Sequence, residues 1–422
     1  MDYKDENKEK VIIAGLHTGS RDYINDTTDE SMNELAELVD TAGGVVVGEM
    51  VQNRPMPEGA TYFGEGKLEE LKTAVESQDA TLVVFDDELS PIQLRNINEI
   101  LGVRVLDRSM LILDIFAMRA RSGEGKLQVE LAQLKYQLPR LRGMGLELSR
   151  TGGGIGTRGP GETKLESDRR HIRTRISALE EQIREIKKHR DLLRKRRRKD
   201  AHIVGAIVGY TNAGKSTLLN RLTDAGVFAE DKLFATLDTT SRAITLDDNR
   251  QIILIDTVGF IRKLPHYLIE AFKSTLEEAA EADFIIHVID AASPEADNRI
   301  MVVNDVLNEI GAGGKPYINV YNKCDLGNCC IATDSGGKNV FISAKTGQGI
   351  AELMMAVADT APGKKYERTL LIPYSDGGVL NELHTNEKVI AEEYRGDGVF
   401  IKVLVDEAVF SGLRKYETRE GL

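Results

Sequence analysis

Apolar runs and helical spacing alternate over the first 120 residues of the chain. The apolar runs that predict strands are residues 11–16, 45–47, 81–85 and 103–106. Helix start signals lie between them, at Ser31 and at Ser90-Pro91, and the last helix of this part is predicted over residues 109–119. Because strands that alternate with helices are typical of parallel sheets, residues 1–120 are predicted to form a small, mostly parallel α/β domain.

A different pattern follows over residues 121–200, where apolar side chains recur every three or four residues. The first set is Leu127, Leu131, Leu134, Leu138 and Leu141, and the second set, after a glycine-rich break, is Ile172, Ile176, Leu179, Ile183 and Ile186. This spacing predicts two amphipathic helices of matching length, joined as an antiparallel helical hairpin. Pro139 should kink or end the first helix near the hairpin tip. Alternatively, both stripes pack on neighbouring domains, which leaves the helix prediction unchanged.

Two further domains are predicted in the remaining sequence. In residues 201–363, apolar strands are predicted at 202–209, 251–256, 283–290, 316–321 and 339–343. Helices fall between these strands, so the pattern predicts a doubly wound sheet. In residues 364–422, strands at 369–374 and 398–406 flank a helix predicted over 378–389, which indicates a small α+β domain. The fold class is therefore a multidomain α/β protein that contains one helical hairpin.

Composition excludes several protein classes. The chain has 422 residues, of which 41% are hydrophobic and 29% charged, so it is typical of a soluble, multidomain protein. No run of about 18 apolar residues predicts a membrane span. The first six residues are too charged for a signal peptide and are either native or an acidic affinity tag. Cys324, Cys329 and Cys330 lack zinc-ligand spacing. We therefore expect a cytoplasmic protein.

Charge is distributed unevenly along the chain. The net charge is −12, but residues 140–200 hold 19 Lys and Arg against 9 Asp and Glu, a net charge of +10, which leaves −22 for the rest. The run Arg194-Lys195-Arg196-Arg197-Arg198-Lys199 completes this basic segment. One concentrated basic segment in an acidic protein predicts a polyanionic partner, although such runs are often only solvated helix ends.

A phosphate-binding loop is predicted after the first strand of the third domain. The segment fits G-x-x-x-x-G-K-[ST] at every fixed position and consists of Gly209, Tyr210, Thr211, Asn212, Ala213, Gly214, Lys215 and Ser216, with Thr217 next. Backbone N–H groups of such a loop surround a β-phosphate at a helix N-terminus. We expect Lys215 to neutralise β- and γ-phosphate oxygens and Ser216 to bind Mg²⁺. The pattern predicts a nucleoside triphosphate site.

A second phosphate-sensing segment is predicted after the strand at 251–256. It consists of Asp256, Thr257, Val258 and Gly259. We expect Asp256 to reach Mg²⁺ through a water and Gly259 to donate its N–H to the γ-phosphate. A threonine between the two segments should also bind Mg²⁺, but spacing alone does not choose among the candidates. Phe260 stands where many small GTPases have a water-orienting glutamine, so unaided hydrolysis should be slow unless another group positions the water.

The nucleobase is predicted from two later segments. Asn322, Lys323, Cys324 and Asp325 form an N-K-x-D sequence at a strand end, and Ser343, Ala344 and Lys345 end the next strand. The Asp325 carboxylate is placed to accept two hydrogen bonds from the guanine edge, a donor pair that adenine lacks. Such a site penalises adenine because its polar groups would remain unpaired. Backbone amides of the second segment should reach guanine O6.

The glycine-rich break lies at the tip of the predicted hairpin. Its candidate RNA-binding residues are Gly153, Gly154, Gly156, Arg158, Gly159 and Gly161. A flexible linker is the alternative interpretation. We favour RNA contact because glycines allow close backbone approach and the flanking arginines can bind phosphates.

These residues together resemble the HflX family of bacterial ribosome-associated GTPases over nearly the whole chain. The most specific segments are residues 153–162 and 256–260, together with Phe234, Ala235, Thr236, Leu237 and Asp238. Gly64-Glu65-Gly66-Lys67 is also similar to the G-x-G-K segment of that family. One departure is Thr239, where the family usually has proline. This departure puts the resting conformation of the first switch in doubt.

The resemblance implies an N-terminal α/β domain, an antiparallel helical hairpin, a P-loop G domain and a small C-terminal domain. It implies that Thr236 is the second Mg²⁺ ligand and that residues 234–238 contact GTP. It also implies binding to the 50S subunit and its 23S rRNA, with the hairpin tip near the peptidyl-transferase centre, and splitting of stalled 70S ribosomes.

We therefore expect a Mg²⁺-dependent GTPase that is monomeric off the ribosome, with Lys215, Thr236 and Gly259 acting on the γ-phosphate. The alternatives are a signalling or scaffold GTPase with a protein partner, and a GTP-regulated RNA-binding protein without splitting activity. The sequence leaves open whether the N-terminal domain binds a second nucleotide and what the C-terminal domain does.

Overall fold

The computed structural model of the chain describes residues 8–19, 28–141, 160–199, 203–223, 233–234, 239–265, 268, 276–327 and 338–418; within the long helix, side chains are described for residues 166–192. The chain divides into two compact units. The first holds Met1–Arg194, Phe228–Asp238 and Val258–Leu276, and the second holds Lys195–Val227, Thr239–Thr257 and Glu277–Leu422.

The first unit contains a four-stranded parallel sheet with the strand order β2-β1-β3-β4. Its strands are β1 (Lys10–His17), β2 (Val45–Asn53), β3 (Leu82–Phe85) and β4 (Arg104–Asp107). Its helices are α1 (Thr28–Thr41), α2 (Glu65–Gln78), α3 (Pro91–Leu101) and α4 (Arg108–Arg119). The side chain of Ser90 caps α3 by accepting a hydrogen bond from the Gln93 N–H at 3.2 Å. The predicted parallel α/β fold is confirmed for the described strands and helices between Lys10 and Arg119.

The helical hairpin consists of α5 (Gly123–Arg140) and α6 (Pro160–Lys199). Ion pairs join Glu130 to Arg175 at 2.6 Å and Lys135 to Glu180 at 3.0 Å. Glu124, at the start of α5, pairs with Arg190 at 3.1 Å, whereas Lys135, further along α5, pairs with Glu180, which lies nearer the start of α6, so the helices are antiparallel.

Two details of the hairpin prediction can be compared with these helices. Helix α5 ends one residue after Pro139, as expected for a residue that has no N–H to continue the helix. The predicted matching length was wrong, because α5 has 18 residues and α6 has 40. Of the second apolar stripe only Leu179 is fully buried. The exposed face of α6 carries local ion pairs such as Glu181 with Arg184.

The second unit contains a six-stranded sheet with the order β10-β9-β8-β5-β7-β6. Its strands are β5 (Ile203–Gly209), β6 (Thr240–Thr245), β7 (Gln251–Asp256), β8 (Phe284–Asp290), β9 (Tyr317–Asn322) and β10 (Lys338–Phe341), and helices α7 (Lys215–Thr223), α8 (Ala296–Glu309) and α9 (Ile350–Thr360) belong to it. All pairings are parallel except that of β6 with β7. Strand order reverses at β5, and ligands of such sheets bind at that point.

The second unit also contains a three-stranded antiparallel sheet with the order β11-β13-β12. Its elements are β11 (Tyr366–Ile372), α10 (Gly377–Asn386), β12 (Lys388–Arg395), β13 (Gly398–Val405) and α11 (Glu407–Leu413). Leu370, Val403 and Phe410 form part of its core. The helix predicted over 378–389 was wrong at its end, because α10 stops at Asn386 and Val389 lies in β12. Strand β12 was not predicted.

Among the helices that the structure describes, none is both long enough and apolar enough to cross a membrane.

Candidate functional site

The loop between β5 and α7 has a shape that requires glycine at two positions. Gly209 has φ +154°, and a Cβ there would lie 2.2 Å from the carbonyl oxygen of Val288 on the neighbouring strand. Gly214 has φ +96°, and a Cβ there would lie 2.2 Å from Nδ2 of Asn322. Asn212 turns the loop with φ +59°. The loop is therefore closed tightly against two neighbouring strands, and both positions require glycine.

Lys215 is buried at the base of this loop. Its ammonium donates to the carbonyl oxygens of Gly209 at 3.1 Å and Tyr210 at 2.8 Å. Burial lowers the pKa of Lys215 to about 8, against the opposing charge of Asp256. A buried ammonium whose charge is incompletely compensated attracts an anion, so the loop is electrostatically prepared for phosphate.

Ser216 and Asp256 lie side by side below the loop. The Ser216 hydroxyl donates to Oδ2 of Asp256 at 2.7 Å. Burial raises the pKa of Asp256, although Lys215 and the Ser216 hydroxyl oppose that effect. Its other oxygen, Oδ1, is buried and has no hydrogen-bond partner among the described residues. A hydroxyl and a carboxylate with an unpaired oxygen are a donor set that suits Mg²⁺, which prefers hard oxygen ligands and retains waters.

Asn322, at the end of β9, joins the phosphate loop to the predicted base-binding turn. Its Nδ2 donates to the carbonyl of Ala213 at 2.8 Å, and its Oδ1 accepts from the N–H of Ala344 at 2.9 Å. Both contacts are buried. The Asn322 side chain therefore links the phosphate loop at Ala213 to the turn at Ala344, two segments that the sequence predicts to bind the nucleotide.

The Asp325 carboxylate lies next to the same turn. A hydrogen bond from the Ser343 hydroxyl lowers its pKa most, and the charges of Lys345 and Lys323 add to this effect. Lys323 has φ +68° and pairs with Asp290 at 2.8 Å. Asp325 is thus held as an anion at an exposed edge, where it can accept hydrogen bonds from a ligand.

The remaining predicted residues fall into four groups. Thr257 is fixed in the second unit, where its hydroxyl donates to the Ile207 carbonyl at 2.8 Å. Val258, Gly259 and the buried Phe260 follow in the chain but belong to the first unit. Phe234 packs its ring edge-on against Phe116 within the first unit, with centroids 4.7 Å apart. The predictions for Ala235, Thr236, Leu237 and Asp238 lie outside the described residues, as do those for Gly153, Gly154, Gly156, Arg158 and Gly159; Gly161 belongs to α6.

The segment after Phe260 makes ion pairs that sequence reasoning missed. The Lys263 ammonium contacts Asp86 at 2.5 Å and Asp87 at 2.7 Å, both just beyond β3 in the first unit. Burial by itself lowers the pKa of the Lys263 ammonium. The two carboxylates outweigh burial, so the pKa of Lys263 is raised. Asp86 also pairs with the buried Arg108 at 2.7 Å. The sequence signal that could have indicated these ion pairs is the adjacent carboxylates Asp86-Asp87 at a strand end.

Two further positioning residues were also missed. Asp290 ends β8 and holds Lys323, and Arg221 donates from α7 to the carbonyl of Thr346 at 2.8 Å. Both act through residues distant in sequence, so no local motif marks them. Only the position of Asp290 at a carboxyl strand end could have indicated it.

Comparison with known proteins gives three family matches. Residues 29–117 match the description GTP-binding GTPase N-terminal, residues 119–197 match GTP-binding GTPase Middle Region, and residues 204–323 match 50S ribosome-binding GTPase. Together these matches span most of the chain.

Named relatives agree with these family matches in kind. A protein named GTPase HflX from Caldanaerobacter subterraneus subsp. tengcongensis is 52% identical over 410 residues, which cover 97% of this chain and 94% of that protein. GTPase HflX of Escherichia coli is 42% identical over 403 residues, covering 94% and 93%. A solved GTP-binding protein from the archaeon Sulfolobus solfataricus in complex with GDP is 26% identical, covers 83% of this chain and 98% of that chain, and has a TM-score of 0.44.

Proposed function

Because this chain belongs to the HflX family of GTPases, we propose that it binds the 50S ribosomal subunit and couples GTP binding and hydrolysis to the dissociation of stalled 70S ribosomes. The observation that carries the nucleotide part is the Asn322 amide, which bonds the phosphate loop on one side and the base-binding turn on the other. This bridge ties the proposed phosphate site to the proposed base site within one unit of the chain.

The phosphate end is proposed to work through three side chains of the second unit. Lys215 exchanges its bonds to the loop carbonyls for β- and γ-phosphate oxygens, which compensates its buried charge. Ser216 would hold Mg²⁺ directly and Asp256 would hold it through a water, and the bound ion would neutralise phosphate charge. The buried unpaired oxygen of Asp256 supports this assignment.

The base end is proposed to select guanine. Asp325, held as an anion, accepts from the two donors of the guanine edge. The N–H groups of Ser343 and Ala344 already donate to Gln348 and Asn322, so the proposed donor to O6 is the Lys345 amide. Asn322 fixes this turn against the loop, so base recognition and phosphate binding act together. A base without the donor pair leaves Asp325 unpaired, which disfavours ATP.

Hydrolysis alone is proposed to be slow. Phe260 is apolar and buried, so it offers no hydrogen bond to an attacking water. Thr236 and Gly259 sense the γ-phosphate, and the segment that follows Gly259 carries Lys263 and its pairs with Asp86 and Asp87. Reordering of that segment by GTP would change these pairs, which gives a nucleotide-gated change in domain orientation that hydrolysis resets.

The ribosome part rests on charge and on the family matches. Residues 140–200 carry a net charge of +10 in a chain of net charge −12, as 23S rRNA contact requires. Residues 204–323 match a family described as 50S ribosome-binding GTPase. We propose that the chain has four functional parts, which are residues 1–120, 121–200, 201–363 and 364–422. We also propose that the protein is cytoplasmic and is a monomer when it is not bound to the ribosome. The hairpin tip at Gly153, Gly154, Gly156, Arg158, Gly159 and Gly161 contacts the RNA.

Sedimentation tests the ribosome part. We expect the chain, loaded with a non-hydrolysable GTP analogue, to sediment with 50S subunits, and the bound fraction to fall as salt rises because phosphate contacts release counterions. Arg158→Ala should weaken this binding and leave nucleotide affinity intact. Arg184→Ala, which removes the same charge from an exposed Glu181 pair on α6, is the matched control and should bind like the wild type.

The same experiment can contradict the proposal in two ways. A chain that stays in the supernatant at moderate salt is not a 50S-binding protein under these conditions, which would favour a protein partner. Equal weakening by Arg158→Ala and Arg184→Ala would mean that general charge, rather than the hairpin tip, contacts the RNA.

A further inference from the structure

The phosphate loop contains a buried hydroxyl that has no partner in the part of the chain that the structure describes. Thr211 is 2% exposed, and its Oγ1 makes no hydrogen bond there. Burial of an unpaired hydroxyl is destabilising, and most buried polar groups in native proteins are paired. An exception inside a ligand-binding loop indicates that its partner arrives with the ligand.

A nearby threonine shows that such a hydroxyl can be satisfied by the protein itself. Thr257 is equally buried in the same unit, and its Oγ1 donates to the Ile207 carbonyl at 2.8 Å. The unpaired state of Thr211 is therefore specific to its position in the loop. Among the polar groups of this site, the unpaired oxygen of Asp256 already has a proposed role at the metal, whereas Thr211 has none.

The position of Thr211 indicates which part of a nucleotide it meets. It directly follows Gly209 and Tyr210, whose carbonyls hold the Lys215 ammonium. In loops of this type that lysine reaches the β- and γ-phosphates, whereas the backbone amides cradle the inner phosphates. When the Lys215 ammonium binds a triphosphate, the γ-phosphoryl group is therefore the group that comes nearest to Thr211.

We propose that the Thr211 hydroxyl donates a hydrogen bond to the γ-phosphate of bound GTP. Thr211 is then a substrate-contacting residue that favours GTP over GDP and stabilises the charge of the transferring phosphoryl group. The inference rests on the proposed GTP site and not on the proposed ribosome binding, so the two can fail separately.

The test uses the full chain without ribosomes and two variants, Thr211→Val, which keeps the shape and removes the hydroxyl, and Thr211→Ser, which keeps the hydroxyl. Affinities for GDP and for a non-hydrolysable GTP analogue are measured, together with single-turnover GTP hydrolysis. Thr211→Val should weaken analogue binding by about tenfold, as expected for one hydrogen bond to a charged group, and leave GDP affinity unchanged. Hydrolysis should slow by at least about tenfold, and Thr211→Ser should restore both properties.

Two results would overturn the proposal. Equal loss of GDP and analogue affinity in Thr211→Val would show that the hydroxyl supports the loop rather than the γ-phosphate. Unchanged analogue binding and unchanged hydrolysis would show that it contacts no part of the substrate.

Thermal unfolding of the nucleotide-free protein gives an independent readout. Thr211→Val removes an unpaired buried hydroxyl, so its Tm should equal or exceed that of the wild type. Thr257→Val removes a hydroxyl that donates to Ile207 and should lower the Tm by a few degrees, about the shift that one lost hydrogen bond causes. A comparable fall in Thr211→Val would show that its hydroxyl is already paired in the free protein, which contradicts the proposal.

Discussion

Replacing Asp325 with Asn should weaken GTP binding by about a hundredfold or more and allow xanthosine triphosphate to bind in its place. The Asp325 carboxylate is held as an anion, chiefly by the Ser343 hydroxyl, and accepts from two guanine donors in our account. An asparagine amide keeps one acceptor and presents donors, which match the extra carbonyl of xanthine. Two hydrogen bonds to a charged group are together worth about 3 kcal/mol or more, which corresponds to about a hundredfold in affinity.

The measurement is equilibrium binding of GTP and xanthosine triphosphate to the Asp325→Asn protein. Asp305→Asn makes the same chemical change at an exposed position on α8 and should bind GTP as the wild type does. Retained GTP preference in Asp325→Asn would mean that another group reads the guanine edge, and the assignment of the base site would be wrong.

Replacing Gly214 with Ala should lower the affinities for GTP and GDP together. The added Cβ would lie 2.2 Å from Nδ2 of Asn322, and φ at this position is +96°, a conformation that alanine adopts only with strain. The Asn322 side chain has to move, which breaks its bond to the Ala213 carbonyl and its bond to the Ala344 N–H. Loss of two buried hydrogen bonds, with the backbone strain, should cost about 3 kcal/mol, or about a hundredfold in affinity.

The matched control for this variant lies in the same unit. A Cβ at Gly314 meets no heavy atom within 4 Å, so Gly314→Ala should leave nucleotide affinity and Tm nearly unchanged. Binding to both variants is measured by titration with GDP and with a GTP analogue. Normal nucleotide affinity in Gly214→Ala would contradict the view that the Asn322 bridge couples the phosphate and base sites.

Apolar runs in the sequence predict the central strands well because burial on both faces leaves few alternatives. Strands β7 and β8 match the predicted residues within one position, and every residue of β8 except Asp290 is buried. Strand β6 was missed because it is an edge strand, and only Ile244 among its residues is buried. Strand β12, with Glu392, Glu393 and Arg395, was missed for the same reason, which let the predicted helix before it run too far.

The hairpin shows where periodicity misleads. The two apolar stripes have the same spacing and length, and they therefore predict helices of equal length. Helix length, however, depends on where a breaker occurs. Pro139 ends α5, whereas no glycine or proline interrupts α6 from Glu162 to Lys199. Charged residues that pair three positions apart, as Glu185 does with Lys188, keep the exposed part of α6 helical.

The residues of the candidate site also differ in how well the sequence predicts them. Segments whose chemistry is local, such as the loop before Lys215 and the turn around Asp325, can be predicted because each function needs fixed residues at fixed spacing. Residues that act across the fold cannot. Asp290 becomes relevant only because β8 lies beside β9, and Lys263 only because its segment reaches Asp86. The unpaired hydroxyl of Thr211 is visible only once burial is known.

The most direct test of the account is the rate of GTP turnover by the full chain, alone and with purified 50S subunits or 70S ribosomes. The absence of a water-orienting side chain at Phe260, with a basic segment of net charge +10 in an acidic chain, predicts slow turnover alone. It also predicts a rate that rises with ribosomal particles until it saturates, and that does not rise for Arg158→Ala. Turnover that is fast without ribosomes, or that stays the same at every concentration of 50S and 70S particles, would contradict the central claim that the ribosome engages this GTPase.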